Sequence, residues 1–449
     1  MPQTDLTQGP VAKSLFKLTA PMIVGISSNI LVSMLEIGFI GQLGTQPVAA
    51  ITFTFPVVMI LSSIALGIGI GTSSVIARGV GAGDTADAKR LGTHAILLVA
   101  LSMSVLSAVG WATIDPVFTA LGATPALLPL IHDYLDIYYP SVVLFTATMV
   151  SSNVLRANGN ANFPGLVMTL GALLNLLLDP ILIFGWFGFP RLELAGAAAA
   201  NAISRIATTA VLLYYITNSD FIARRAIWSG FYQSCRRILE VGLPAIATQL
   251  IGPVSAALIT RLLATHGEIV VAGYGVAIRI ESVAMMLLFA LSASIGPFVG
   301  QNWGGGQPDR VQAGLRVTYQ FCLLWGLFAA VPLALFGDTV ASWVDDDPRV
   351  VATAAFYLTV VPWSHGMWGV LMMASASFNA LGKPIPSTVL SFARMFVMYL
   401  PIAFLLNSML GHGGIFIATA ASNCAMGLIG YLWFKNAFFA GKRRTRLVS

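Results

Sequence analysis

Three acidic side chains lie well inside long apolar stretches of this 449-residue chain: Glu36, Asp179 and Glu281. An ionised group in hydrocarbon costs about 3 kcal/mol or more unless it is paired or hydrated, so each is a candidate for proton or cation chemistry. Asn175 precedes Asp179 by four residues and shares its helical face. Asn29 precedes Glu36 by seven residues, on the same face two turns deeper. Asn201 lies near the outer start of another apolar stretch. Glu36, Asn175, Asp179 and Asn201 are therefore expected at one depth, with Asn29 below, as an ion-coupling cluster able to hold a proton or a sodium ion. Two carboxylates in a low dielectric cannot both stay ionised cheaply, so the pair titrates as a coupled unit. Hydrogen bonding between helices is the alternative use, but a carboxylate pair joins helices poorly unless protonated or cation-bound. Pro180 directly follows Asp179, and Pro21 interrupts the first stretch. Each removes an amide donor and permits a bend, which makes both candidate hinges.

Glu281 stands two residues after Arg279, a spacing at which side chains do not face each other. Each should pair across helices, with Arg394 as one partner for Glu281. A structural ion pair and a substrate or coupling role both remain open for it. Asn29, Tyr134, Tyr139, Asn153, Arg279, Glu281 and Met372 are candidates to line a substrate cavity. Aromatic faces and thioethers would suit flat apolar cations there. The five histidines show no metal-ligand spacing, and Cys235, Cys322 and Cys424 are scattered. No resident metal or cofactor beyond the coupling proton or sodium is expected. The chain carries no nucleophile–base constellation, which argues against an enzyme.

Positioning these groups falls to membrane helices. The chain is 57% hydrophobic and 9% charged, against about 25% charged residues in soluble domains. Helices are expected near 14–40, 49–76, 91–114, 130–155, 163–186, 195–217, 238–263, 270–297, 315–337, 349–378, 386–406 and 414–435. Gly, Pro, Asn and Asp punctuate the connections. Of the 24 Lys and Arg, most fall in connections on one side, including Arg224, Arg225 and Lys442. By the positive-inside rule that side is cytoplasmic and holds both termini. The net charge of +6 thus reports topology rather than a nucleic-acid partner. The polar N-terminus lacks a signal-peptide pattern, so the first stretch is retained as a helix. The organisation expected is a cytoplasmic tail 1–13, an N-terminal lobe 14–217, an interfacial linker 218–237, a C-terminal lobe 238–435 and a basic tail 436–449.

An internal repeat supports two halves. At one offset of 223 residues, Pro21 pairs with Pro244, Gly44 with Gly267, Gly81 with Gly304, Gly83 with Gly306 and Gly159 with Gly382. Each half holds an even number of helices, so the repeats run parallel about an axis along the membrane normal. Positions 36 and 179 map onto Ile259 and Ile402. The scaffold is duplicated without its acidic pair, which favours a special role for Glu36 and Asp179.

The ordered motifs LTAP (18–21), EIGFIGQLG (36–44), ARGVGAGD (77–84), RANGNANFP (156–164) and LNLLLDPILIFG (174–185) are on view in the first half. VGLPA, GQNWGGG and NALGKP fill equivalent places in the second. Together they resemble the multidrug and toxic compound extrusion (MATE) family over essentially the whole chain. The resemblance implies an all-α integral membrane protein of 12 transmembrane helices, two parallel six-helix repeats forming a V-shaped two-lobe transporter. It further implies export of organic cations or other amphipathic small molecules by antiport with protons or sodium. Such a protein would act from the inner (plasma) membrane, as a monomer, with the lipid bilayer as its only large partner. The family's first-helix acid falls on Glu36, where Asp is usual. Its fifth-helix pair falls on Asn175 and Asp179, and a sixth-helix Thr site falls on Asn201. Helix 7 has no carboxylate, which resembles the DinF-type branch, where N-lobe carboxylates couple. The alternative is a flippase for lipid-linked or polysaccharide precursors within the same superfamily.

Overall fold

A computed structural model of the chain describes residues 5–223 and 227–446, with side chains through Phe438. Arg224 and Arg225 therefore lie outside the described residues, as do the side chains of Lys442, Arg443, Arg444 and Arg446. The described residues are almost entirely helical: α1 (Val11–Gly41), α2 (Thr45–Gly81), α3 (Thr85–Ala112), α4 (Ile114–Ala120), α5 (Leu128–Ala157), α6 (Asn162–Phe184) and α7 (Glu193–Asn218) come first. They are followed by α8 (Phe231–Ala264), α9 (Glu268–Gly304), α10 (Pro308–Ser342), α11 (Pro348–Val360), α12 (His365–Ala380), α13 (Pro384–Phe392), α14 (Leu400–Leu410) and α15 (His412–Arg446).

Ten helices among the described residues are long and apolar enough to cross a membrane unaided. The other two of the twelve spans are α5 and the α11–α12 pair. The sequence of α5 carries His132, Asp133, Asp136, Asn153 and Arg156, which lowers its hydropathy. The tenth span is broken by a 3-10 turn at Val361–Ser364 containing Pro362, whose missing amide cannot continue the ladder. A π-helical stretch, Ala393–Tyr399, joins α13 to α14. Leu324, Phe328, Leu335, Tyr214 and Met409 are all more than 60% exposed, as suits a lipid-facing surface.

Two compact units emerge. The first comprises Lys17–Ile246 and the second Leu6–Phe16 with Ala247–Ser449. The repeat is visible in backbone angles. Gly44, Gly83 and Gly159 have φ of 112°, 80° and 81°, and their counterparts Gly267, Gly306 and Gly382 have 104°, 67° and 73°. These left-handed turns strain any residue with a Cβ, which accounts for glycine at both copies. The break after α3 recurs as well. Thr113 has φ −115° and ψ 15°, and 223 residues later Phe336 kinks α10 at φ −120° and ψ 16°.

Two segments outside the spans are fixed to the helices. The tail expected over 1–13 is anchored where it is described. Leu6 is fully buried; its amide donates to Gln301 Oε1 at 3.3 Å, and its carbonyl accepts from Asn302 Nδ2 at 3.1 Å. Arg310 donates to the carbonyls of Leu6, Gln8 and Gly9, so backbone acceptors outside any helix find side-chain donors that hold the segment down. The stretch 218–237 is shorter as a connection than expected, because α8 begins at Phe231. Its described non-helical part is clamped to α3. Thr93 Oγ1 accepts from the Ala223 amide at 2.9 Å, His94 Nε2 contacts the Ile227 carbonyl at 2.8 Å, and Lys89 pairs with Asp220.

Within the first unit α5 packs on α2, α3 and α7, and α6 packs on α7. Small residues set these distances. A Cβ on Gly71 of α2 would stand 2.3 Å from the Ile238 carbonyl of α8, and one on Gly165 of α6 would stand 2.6 Å from the Pro21 carbonyl of α1. The second unit has its own such crossing, with Gly326 of α10 against the Gly366 amide of α12.

Candidate functional site

In the first unit α1, α5, α6 and α7 bring charged groups together. Glu36, half-buried on α1, accepts at Oε1 from Asn201 Nδ2 of α7 at 2.7 Å. Asp179, fully buried on α6, accepts at Oδ2 from Asn175 Nδ2 at 3.0 Å. The four-residue spacing that puts Asn175 and Asp179 on one face thus becomes a direct bond. Glu36 and Asp179 lie within electrostatic reach of each other, and Tyr134 of α5 lies within reach of both. All four ion-coupling candidates therefore meet in two hydrogen-bonded pairs. Asp179 Oδ1 and Asn175 Oδ1 are buried without a hydrogen-bond partner. A buried acceptor without a donor costs about 1–3 kcal/mol.

A cation that the sequence analysis did not single out joins them. Arg205 of α7 follows Asn201 by four residues and feels the charge of Glu36. Its Nη1 donates to Ser141 Oγ at 2.9 Å, and its guanidinium carbon stands 5.0 Å from the Tyr138 ring and 4.9 Å from that of Phe145. Tyr134, Tyr138, Ser141 and Phe145 form one stripe of α5 at spacings of four, three and four. That spacing, counted forward from Tyr134, was the signal that could have found Tyr138, and the four-residue step from Asn201 the one that could have found Arg205.

The stripe corrects one cavity candidate. Tyr139 is rotated about 100° from Tyr138 around the helix and packs on α3, where a Cβ on Gly110 would stand 2.5 Å from its ring. Tyr134 stacks on Tyr138 instead, with ring centroids 5.8 Å apart. Asn29 is exposed and returns its Nδ2 to the Gly25 carbonyl of its own helix at 3.0 Å. Asn153 is buried away from the carboxylates: its Oδ1 accepts from Arg156 at 2.7 Å, and it fills the notch left by Gly69. Pro21 and Pro180 both lie inside continuous helices, α1 and α6.

The second unit gathers the remaining candidates. Glu281 of α9 accepts from Tyr357 Oη at 2.8 Å and from His365 Nε2 at 2.7 Å. Arg394, expected as its direct partner, instead interacts with it through space; its Nη1 donates to Asn423 Oδ1 at 3.0 Å, and its guanidinium lies 5.6 Å from the Trp368 ring. Arg279 is exposed, one helical step from the buried face, and Met372 is half-buried on α12. Among the described residues no group of three or more His, Cys, Asp or Glu is arranged to hold a metal.

The MatE family model matches residues 21–181 and again 244–405, so its two copies start at the prolines paired by the repeat. A protein of Shewanella oneidensis named "FAD transporter" is 36% identical over 95% of each chain. The "Multidrug export protein MepA" of Staphylococcus aureus is 26% identical over 95% of this chain and 94% of its own. A crystal structure of the Vibrio cholerae MATE transporter VcmN superposes with a TM-score of 0.93 at 30% identity, covering 96% of this chain and 97% of that one. With the duplicated helices and the buried charges, these matches identify the molecule by class: the chain belongs to the MATE family of membrane transporters.

Proposed function

We propose that this transporter exports amphipathic small molecules from the cytoplasm across the inner (plasma) membrane in exchange for protons, with coupling at Glu36, Asp179, Asn175 and Asn201. Both termini would face the cytoplasm and a single chain would suffice. The observation that carries the reading is the pair of unpartnered buried oxygens, Asp179 Oδ1 and Asn175 Oδ1. A proton on Asp179 Oδ1 supplies the missing donor; a sodium ion would answer the same two oxygens. Export follows if the proton and the substrate-bearing state exclude each other, the proton entering from outside and leaving inside.

Sealed vesicles containing the purified protein and loaded with ethidium test this. An imposed proton gradient should drive ethidium movement that a sodium gradient does not, and a protonophore should stop it. Glu36→Gln and Asp179→Asn should each reduce gradient-driven movement to the level of empty vesicles; wild-type rates in both would overturn the site. A second substrate reading, a flavin dinucleotide, is favoured by the name of the 36%-identical relative and by the groups near Glu36: aromatic rings can stack on a flat ring system, and the Arg205 guanidinium can pair with a phosphate. Vesicles loaded with FAD instead of ethidium separate the two.

A further inference from the structure

Arg205, Arg279 and Arg394 all lie well inside membrane spans, and the fold accounts for two of them. At the 223-residue offset Tyr134 becomes Tyr357, Ser141 becomes Ser364 and Phe145 becomes Trp368, so the α5 stripe has a copy. Arg205 lies over Phe145 and donates to Ser141. Arg394 lies over Trp368 and donates to Asn423, which in turn donates to Ser364. Arg279 of α9 has no such seat. Among the described residues its guanidinium has no hydrogen-bond, ion-pair or ring partner; the side chain bonded to Arg279, that of Ser282, donates to its backbone carbonyl at 2.6 Å. Glu281 is turned about 200° away around the helix, and its two oxygens are taken by Tyr357 and His365. An arginine does not shed its charge, and an unhydrated one inside a span is costly. This face of α9 therefore meets water rather than lipid.

The residues around the cation leave it room. Ala272, Gly275, Arg279 and Ser282 follow one another on one face, at spacings of three, four and three. A Cβ on Gly275 would meet nothing within 4 Å. Ile278 and Val283, both exposed, border the strip, and Met286, seven residues past Arg279 on the same face, is buried and closes it. The cation has no copy: Arg279 maps onto Pro56 of α2, which is also exposed. The duplicated scaffold thus stands without the charge, and its use lies with a molecule that enters the strip. We propose that Arg279 is a specificity-determining residue that takes the phosphate or carboxylate of a flat amphipathic substrate, with apolar Ile278 and Val283 beside the ring system. The guanidinium fork matches two oxygens of such a group at once. A cationic molecule is repelled at the same place. The assignment rests on the second substrate reading above and narrows it, since the anionic group is recognised as well as the ring.

Riboflavin and flavin mononucleotide share one ring system and differ by a phosphate, so their binding to purified protein in detergent, with no gradient, isolates the contact. Wild type should bind the phosphate form about tenfold or more tightly. Arg279→Gln should bind the two alike, with riboflavin affinity unchanged as the sign of an intact fold. Arg279→Lys should keep part of the preference, because it keeps the charge without the fork. Wild type without a preference for the phosphate form, or an equal preference in Arg279→Gln, overturns the proposal. So does loss of the preference when phosphatidylglycerol is added, which would assign the guanidinium to a lipid headgroup. Vesicles loaded with FAD test the underlying reading separately. FAD movement that is unchanged in Arg279→Gln keeps that reading and overturns the subsite. A phosphate preference that depends on Arg279, without FAD movement, keeps the subsite and overturns the reading.

Discussion

The two units share a backbone and differ in chemistry. α2 and α9 end at the same repeat positions, the turn glycines match, and the kink at Thr113 reappears at Phe336. Yet Glu36, Asn175, Asp179 and Asn201 map onto Ile259, Met398, Ile402 and Cys424, while Glu281 and His365 map back onto Val58 and Val142. Backbone geometry is constrained at every turn, because a left-handed residue or a close helix crossing tolerates only glycine. A buried charge is constrained only by its immediate partners, so it can move to a different helix provided those partners move with it. The tyrosine–serine–aromatic stripe on the fourth span of each unit is what both centres retain.

The largest loss of stability should follow from forcing the glycine crossings apart. Gly71→Ala places a Cβ 2.3 Å from the Ile238 carbonyl, and Gly326→Ala places one 2.3 Å from the Gly366 amide. Neither neighbour is a flexible side chain. Each substitution should cost about 3 kcal/mol, at the upper end of overpacking effects, read as a lowered unfolding temperature in detergent. Equal costs would mean that the two units are comparably rigid; a much smaller cost in one would identify it as the unit that yields.

A middle-sized effect separates the equivalent tyrosines. The Tyr357 hydroxyl donates to the Glu281 carboxylate at 2.8 Å, and a hydrogen bond to a charged group is worth about 1.5–3 kcal/mol. Tyr134 occupies the same place on its helix but has only electrostatic relations to Glu36 and Asp179. Tyr357→Phe should therefore lower stability by about 2 kcal/mol, with Tyr134→Phe close to wild type in the same unfolding assay. Equal losses would show that Tyr134 bonds a carboxylate in a conformer other than this one.

The sequence carried much of this arrangement, and where it fell short the reason is geometric. Helix positions followed from hydropathy because lipid leaves a span no alternative to closing its own hydrogen bonds. The contact of Asn175 with Asp179 followed from periodicity alone. Arg205 escaped because its surroundings depend on the ring of Tyr138, on another helix and one turn from a residue already singled out. Residue type alone cannot separate Tyr139 from Tyr138, and a one-residue step turns a side chain about 100° away. The partnership of Glu281 with His365 joins residues 84 positions apart, and no local spacing encodes it. The burial of Leu6 depends on Gln301, Asn302 and Arg310, equally remote in the chain.

The smallest expected effect tests the shared backbone itself. Gly83 and Gly306 both have positive φ, and a Cβ at either would meet nothing within 4 Å. Alanine there incurs backbone strain without any steric clash, about 1 kcal/mol for an L-residue held in the left-handed region. Gly83→Ala and Gly306→Ala should lower the unfolding temperature by similar small amounts and leave ethidium efflux per folded molecule unchanged. Both turns lie far along the helices from Glu36 and Glu281, so lost efflux in only one variant would mean that its turn moves during transport. Matched losses with intact efflux would place the functional difference between the units in their side chains alone.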